Sequence, residues 1–161
     1  IKAMRAWVTD CPNFLSNRVI PLTFRFHSAM MGSLGIGCNI LKFTPEEMEL
    51  SKDMIHLYKE IRPIIQEGDF YRLENPSADD YFLYEYRKDN EGLLFAFLPQ
   101  SKVGHRGTTV RLRDLDEQAM YTLHTKEGEI TKSGSYLMYH GLDLHLNGDY
   151  ASTIIRFECK Q

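Results

Sequence analysis

The sequence predicts a mixed, two-part fold: a βαβα segment over residues 1–68, followed by an antiparallel all-β sandwich over residues 69–161. Three observations carry this. Up to Gly68, short apolar runs alternate with helical patterns at the spacing of parallel βα units, in which helices cover a sheet. Thr44–Gly68 holds complete start and stop signals for one helix. After Gly68, aromatic and β-branched runs recur between turn residues about every eight to twelve positions.

In chain order, Met4–Thr9 is an apolar run without alternation and reads as a strand buried on both faces, ending at the turn-prone Asp10-Cys11-Pro12-Asn13. Phe14–Asn17 reads as loop. Pro21 opens a helix through Leu22, Phe24, Phe26, Ala29 and Met30 that stops near Gly32. Leu34–Ile40, LGIGCNI, reads as a buried strand whose glycines imply close backbone approach or a bulge. Thr44 then caps the long helix, Pro45 takes its first position, and Glu47 is the return arm of a capping box. Leu50, Met54, Leu57, Ile61 and Ile65 share one stripe, flanked by Met48, Ile55 and Tyr58, and the stripe needs a partner surface. Pro63 predicts a kink or an end, with Gly68 supplying the final turn.

The second part reads as strands near Phe70–Leu73, Tyr81–Arg87, Leu93–Leu98, Thr108–Arg113, Met120–His124, Ser135–Tyr139 and Ala151–Glu158. Asp89-Asn90-Glu91-Gly92, Lys126-Glu127-Gly128 and Asn147-Gly148-Asp149 supply residues that tolerate positive φ in tight turns. Val110 and Leu112 alternate with Thr109, Arg111 and Arg113, which predicts one wet face. LLFAFL is apolar throughout and predicts a central strand. The domain boundary falls at Gly68–Phe70.

At 161 residues and 43% hydrophobic content, the chain holds one ordinary core, or one small domain plus part of another. Nineteen basic against 22 acidic residues, with no basic stripe, argue against nucleic acid as a partner. Cys11, Cys38 and Cys159 lack metal-type or redox-type spacing and predict reduced thiols in a cytoplasmic setting. No apolar run approaches about 18 residues and no secretory signal pattern opens the chain, so neither a membrane span nor a membrane partner is expected.

The densest polar cluster, Thr9-Asp10-Cys11-Pro12-Asn13, follows a parallel strand, where α/β folds gather functional groups. Asp10 has the chemistry of a general acid or nucleophile, but a glycosidase needs two carboxylates, and no second one follows either strand nearby. A turn or capping role is the stronger reading. Cys11 has no evident histidine base, and His27, within an apolar helical pattern, reads as buried and hydrogen-bonded. His140, Asp143 and His145 carry metal-ligand chemistry without metal-ligand spacing and read as loop residues. The G-x-x-G-x-G string from Gly32 to Gly37 runs into a strand rather than from a strand into a helix, unlike a phosphate loop. Phe82, Tyr84, Tyr86, Phe95 and Phe97 offer rings for sugar stacking but fit a sandwich core better.

The segments AWVTDCPN, RVIPLTFRFHSAMMGSLGIGCNI and FTPEEMELSKDMIHLYKEIRPIIQEGDFYRL together resemble the C-terminal end of an α-galactosidase of glycoside hydrolase family 36, the melibiase and raffinase type. The resemblance covers Ala6–Leu73 closely and continues more loosely to GDYASTIIRFE near the C-terminus. It implies that residues 1–68 form the last two βα units of a catalytic (β/α)8 barrel and residues 69–161 a C-terminal β-sandwich domain. It further implies retaining hydrolysis of terminal α-galactosyl groups, with one aspartate as nucleophile in a K-W-D motif and another as acid/base in S-D-N or S-D-D. Neither string occurs here, so no catalytic residue is assigned, no substrate-binding residue is identified, and no metal or cofactor is expected. The implied partners are α-galactosides of the whole enzyme. The buried parallel strands within residues 1–43, without their neighbours, would expose apolar surface and free edges, which predicts poor order, repacking on the sandwich or sharing with another copy in a homo-oligomer, with repacking or dimerisation favoured. The competing reading is a stand-alone carbohydrate-binding module, with Tyr81 or Tyr136 as exposed rings, or a subunit-assembly module.

Overall fold

The structure, a computed structural model, describes residues 4–73, 81–104 and 107–160. These fall into two compact units, Ile1–Glu67 and Gly68–Gln161.

The first unit is a βαβα arrangement. Strands β1 (Arg5–Val8) and β2 (Ser33–Ile36) pair in parallel, Arg5 opposite Ser33 and Val8 opposite Ile36. The intervening helix α1 (Leu22–Met30) buries Leu22, Phe26, Ala29 and Met30. A 3₁₀ turn, Ile40–Lys42, leads to helix α2 (Pro45–Glu67), which packs on α1. The glycines of the β2 region make room for β1: a Cβ at Gly32 would lie 2.5 Å from the Met4 carbonyl oxygen, and one at Gly35 would lie 2.6 Å from the Trp7 ring.

Several expectations change here. Strand β1 is not buried on both faces; Val8 is fully buried but Trp7 is 56% exposed, because among the described residues β1 and β2 have only each other as neighbours. The second strand stops at Ile36, since Asn39 caps the 3₁₀ turn by accepting the Leu41 amide at 3.1 Å. Of the two outcomes expected at Pro63, a kink or an end, the helix does not take the end: α2 runs on to Glu67. Its capping box forms as the sequence requires: the Glu47 amide donates to Thr44 Oγ1 at 3.2 Å, and the Thr44 amide donates to Glu47 Oε2 at 3.0 Å. The buried face is rotated from the apolar stripe, because Leu50, Met54 and Leu57 are half-buried while Ser51, Tyr58, Ile61, Ile64 and Ile65 are buried. Two polar residues sit on that face because they are satisfied there. The Tyr58 hydroxyl donates to the Gly32 carbonyl at 2.8 Å and accepts the Leu34 amide at 3.2 Å, while Ser51 Oγ donates to the Glu47 carbonyl at 2.7 Å.

The second unit is built on a six-stranded antiparallel sheet of order β3-β4-β5-β10-β7-β8, comprising β3 (Asp69–Leu73), β4 (Phe82–Lys88), β5 (Glu91–Leu98), β7 (Met120–Thr125), β8 (Gly128–Ser133) and β10 (Ala151–Cys159). Strands β6 (Thr108–Val110) and β9 (Leu142–Leu144) form a separate antiparallel ribbon. LLFAFL lies within β5, third from the edge and buried throughout. Asp89, at φ 52, makes the tight turn between β4 and β5, and Gly128, at φ 129, begins β8 after the turn from β7. Gly92 faces Phe157 across the β5–β10 pair, where a Cβ would meet the ring at 2.1 Å.

Leu83, Leu94, Ala96, Leu123, Ile155 and Phe157 on one face of the sheet make a single core with Val110, Leu112, Leu115, Leu137 and Leu144. The opposite face carries a run of rings: Phe70 lies 5.7 Å from Tyr84 and 5.1 Å from Tyr86, and Phe95 lies 5.7 Å from Tyr86 and 6.4 Å from Phe97.

Here too the sequence expectation is revised. The strand predicted over Thr108–Arg113 ends at Val110, and residues 111–116 form a strap instead. The Arg113 amide donates to Glu85 Oε2 at 2.8 Å, Arg87 Nη1 to the Asp114 carbonyl at 3.2 Å, and the Tyr71 hydroxyl to Asp114 Oδ2 at 3.1 Å. The strand predicted over Ser135–Tyr139 is a single π-helical turn, Tyr136–His140, closed by the Gly141 amide on the Tyr136 carbonyl at 2.8 Å. Ser133 Oγ accepts the Tyr136 amide at 3.1 Å and so starts the turn. Strands β8 and β9 carry no aromatic residue and were not predicted.

Candidate functional site

The polar cluster after β1 meets the segment after β2 at the carboxyl ends of the two parallel strands. Asp10 Oδ1 accepts the Asn39 amide at 3.2 Å, tying one loop to the other. Asn13 Oδ1 accepts the amides of Leu15 and Ser16, both at 3.1 Å, which is an Asx-type turn. The peptide bond between Cys11 and Pro12 is cis. A residue that sequence reasoning passed over organises the base of the cluster: Arg25 on α1 donates from Nη1 to the Thr9 carbonyl at 2.7 Å and from Nε to the Ile20 carbonyl at 3.0 Å. Its only sequence signal was its position on α1, and the register that brings α1 under the β1 loop is not local.

The contacts shown for the cluster are ties to loop backbone. Asp10 has the turn-bridging role its surroundings suggested. Burial, followed by the Asp10 carboxylate, pushes the Cys38 thiol above its usual range, the reverse of what a nucleophilic thiolate requires. Cys11 Sγ donates weakly to the Ile20 carbonyl at 3.7 Å. His27 is buried at 4% exposure. From Cys11 to Pro45 the chain contains no Asp or Glu, so Asp10 is the one carboxylate on either loop. The same loops carry apolar groups to the surface, among them Phe14 at 83% and Leu41 at 90% exposure.

The structure does not assemble the remaining candidates into a site. Asp143 Oδ1 accepts the Thr109 hydroxyl at 2.7 Å across the β6–β9 ribbon, His140 stacks on Tyr136 at 5.3 Å, and His145 lies against Gly107. Among the described residues, no group of three or more His, Cys, Asp or Glu side chains could hold a metal ion. Tyr81 is buried at 5% exposure with its hydroxyl accepting the Leu146 amide at 3.1 Å, so it offers no ring to a ligand. Tyr86, Phe95 and Phe97 are buried as well, and Phe82 and Tyr136 remain exposed at 43% and 39%. One ionisable group was missed. Glu85 lies on the core side of β4 between Leu83 and Arg87, and alternation along β4 was the signal that could have found it.

Comparisons with known proteins match both units. Residues 1–68 match the melibiase model, and residues 83–157 match the model of the glycosyl hydrolase family 36 C-terminal domain. The chain is 37% identical over 161 residues to a probable α-galactosidase G of Emericella nidulans, covering 97% of this chain and 22% of that protein. It is 31% identical to the α-galactosidase AgaA of Geobacillus stearothermophilus, covering 100% of this chain and 22% of that protein. Among solved structures, a variant of AgaA in complex with raffinose superposes with a TM-score of 0.91 at 29% identity, over 99% of this chain and 22% of that one. A second AgaA variant, in complex with stachyose, gives a TM-score of 0.89 at 29% identity, over 98% of this chain and 22% of that one. The chain thus spans about a fifth of the length of the relatives it matches.

Proposed function

The chain belongs to glycoside hydrolase family 36, and from that premise we propose that it is the C-terminal part of an α-galactosidase that removes terminal α-galactosyl groups from oligosaccharides by a retaining, two-aspartate mechanism. Raffinose and stachyose, bound in the matching solved structures, represent its substrate class. The observation that carries the reading is the carboxylate inventory. Barrel enzymes hold their catalytic groups at the carboxyl ends of the strands, and that end of β1 and β2 offers only Asp10, already engaged with the Asn39 amide. Both catalytic aspartates therefore belong to other segments of the whole enzyme, and this chain by itself is inactive.

In this reading β1 and β2 are the last two strands of a (β/α)8 barrel, which accounts for a parallel pair whose Trp7 stands 56% exposed. The second unit is an accessory β-sandwich domain, its six-stranded sheet faced by the β6–β9 ribbon, strap and π-turn. Three free cysteines favour a reducing, cytoplasmic setting. The test is an assay of the isolated chain on a chromogenic α-galactoside, beside a longer polypeptide that supplies the K-W-D and S-D-N type motifs. Turnover is expected from the longer protein only. Hydrolysis by the isolated chain that disappears in Asp10→Asn would refute the proposal.

A further inference from the structure

Glu85 is the buried ionisable group that the proposed hydrolase role leaves unused. Carboxylates are rarely buried without a partner, because an unpaired charge in the interior is costly. Glu85 is fully buried on β4, directly opposite Tyr71 on β3 and Leu94 on β5. Its Oε2 accepts the Arg113 amide at 2.8 Å, while Oε1 has no hydrogen-bond partner among the described residues. The charged and titratable groups facing it are Arg87 on β4 itself, Tyr71 on β3, and Arg113 and Asp114 on the strap.

The strap over this carboxyl is pinned at two points and loose between them. Leu112 and Leu115 are buried core residues, and each is also tied through its backbone: the Leu112 amide donates to the Leu137 carbonyl at 3.1 Å and the Leu115 amide to Met138 Sδ at 3.4 Å. Between these pins Arg113 and Asp114 are exposed, and Asp114 holds φ 55, a left-handed conformation that non-glycine residues seldom adopt. The pair is held down by the Arg113 amide on Glu85, by Arg87 Nη1 on the Asp114 carbonyl and by the Tyr71 hydroxyl on Asp114 Oδ2. One exposed residue therefore separates a buried carboxyl from solvent.

We infer that Arg113–Asp114 is a pH-gated cover, closed over the neutral Glu85 carboxyl and opened preferentially once Glu85 ionises, while Leu112 and Leu115 stay in the core. Ionisation turns Oε1 into a buried charged acceptor without a donor, and raising two exposed residues hydrates it without exposing the sheet core. Arg87 and the Arg113 amide favour the carboxylate but burial outweighs them, which pushes the closed-state carboxyl up to about 7. A hydrated Glu85 returns towards 4.5, so the closed form keeps its full advantage below about pH 4.5 and loses it as pH rises towards 7. The cover belongs to the second unit alone, so it stands or falls apart from the hydrolase assignment.

The experiment is amide hydrogen exchange by NMR on the full 161-residue chain from about pH 4.5 to 8, corrected for the intrinsic pH dependence of exchange. Protection of the Arg113 amide is expected to fall by roughly tenfold per pH unit up to about pH 7 and then to level off. Sub-denaturing urea should leave Arg113 exchange unchanged while accelerating that of Leu94, because raising the cover exposes little surface. The Leu112 amide, outside the cover, should stay at least about tenfold better protected than Arg113 throughout. In Glu85→Gln the Arg113 protection should no longer depend on pH. If that variant does not fold, the side-chain carboxyl resonance of Glu85 in the wild type must titrate well above 4.5, together with the fall in Arg113 protection. Arg113 protection independent of pH, Arg113 exchange that follows Leu94 in urea, or a Glu85 carboxyl that titrates near 4.5 would overturn the inference.

Discussion

Glu85 shows how one residue sets a pH dependence. It is fully buried, Oε2 accepts the Arg113 amide at 2.8 Å, and Oε1 has no hydrogen-bond partner. Burial, opposed by that amide and by the Arg87 charge, pushes the carboxyl from 4.5 up to about 7. The folded state therefore keeps a proton that the unfolded chain has already released. The contribution of Glu85 to stability is present below about pH 4.5 and is lost as pH rises towards 7, a difference of about 3 kcal/mol. Urea unfolding at a series of pH values should show Glu85→Gln gaining stability on the wild type across that window, and parallel pH profiles would refute the assignment. Tyr58 is the counterpart in the first unit: Tyr58→Phe strands the Gly32 carbonyl and the Leu34 amide and should cost about 1–3 kcal/mol, read from the denaturation midpoint. At this scale the site was half legible. Asp10 could be read as a turn residue from its neighbours, but its bond to Asn39 and the Arg25 clamp depend on long-range register, which no local pattern encodes.

Elements whose signals are local came out of the sequence nearly intact. The capping box at Thr44 and Glu47 formed with both reciprocal bonds, and Thr44→Ala should lower stability by about 1 kcal/mol in thermal melts followed by circular dichroism, with Thr44→Ser nearly neutral. Strands β3, β4, β5, β7 and β10 lie close to their predicted spans because burial selects aromatic and β-branched residues there. The misreadings share one cause, tertiary override of a local pattern. The alternation of Val110 and Leu112 continues past the end of β6, yet the strap follows Glu85, Arg87 and Tyr71 instead of a neighbouring strand. Ser135–Tyr139 is rich in strand formers but is wound into a π-turn by Ser133 and Gly134. The helix stripe misled for a related reason: apolarity ranked Leu50 and Leu57 above Tyr58, while two backbone partners make Tyr58 the better buried residue.

Across the whole molecule, the two units differ in how completely their sheets are finished. In the second unit, β5 and β10 each have neighbours on both sides; β5 pairs through both edges from Glu91 to Phe97, and β10 does so over Arg156–Glu158. In the first, β1 and β2 form a two-stranded parallel sheet in which each strand keeps one edge unpaired among the described residues, and such pairs are marginal in isolation. Local opening should follow this contrast, because amides exchange at a rate set by the free energy of the smallest opening that exposes them. Hydrogen exchange of the isolated chain is expected to protect Leu93–Leu98 and Ile154–Phe157 by roughly 100-fold or more over Arg5–Val8. In a longer polypeptide that supplies the further strands of the proposed barrel, the Arg5–Val8 and Ser33–Ile36 amides should slow markedly, while those of β5 and β10 change little, since their neighbours are already in place. Equal protection of β1 in the two polypeptides would show that the parallel pair is complete as it stands, and would remove the structural reason for treating it as part of a larger barrel.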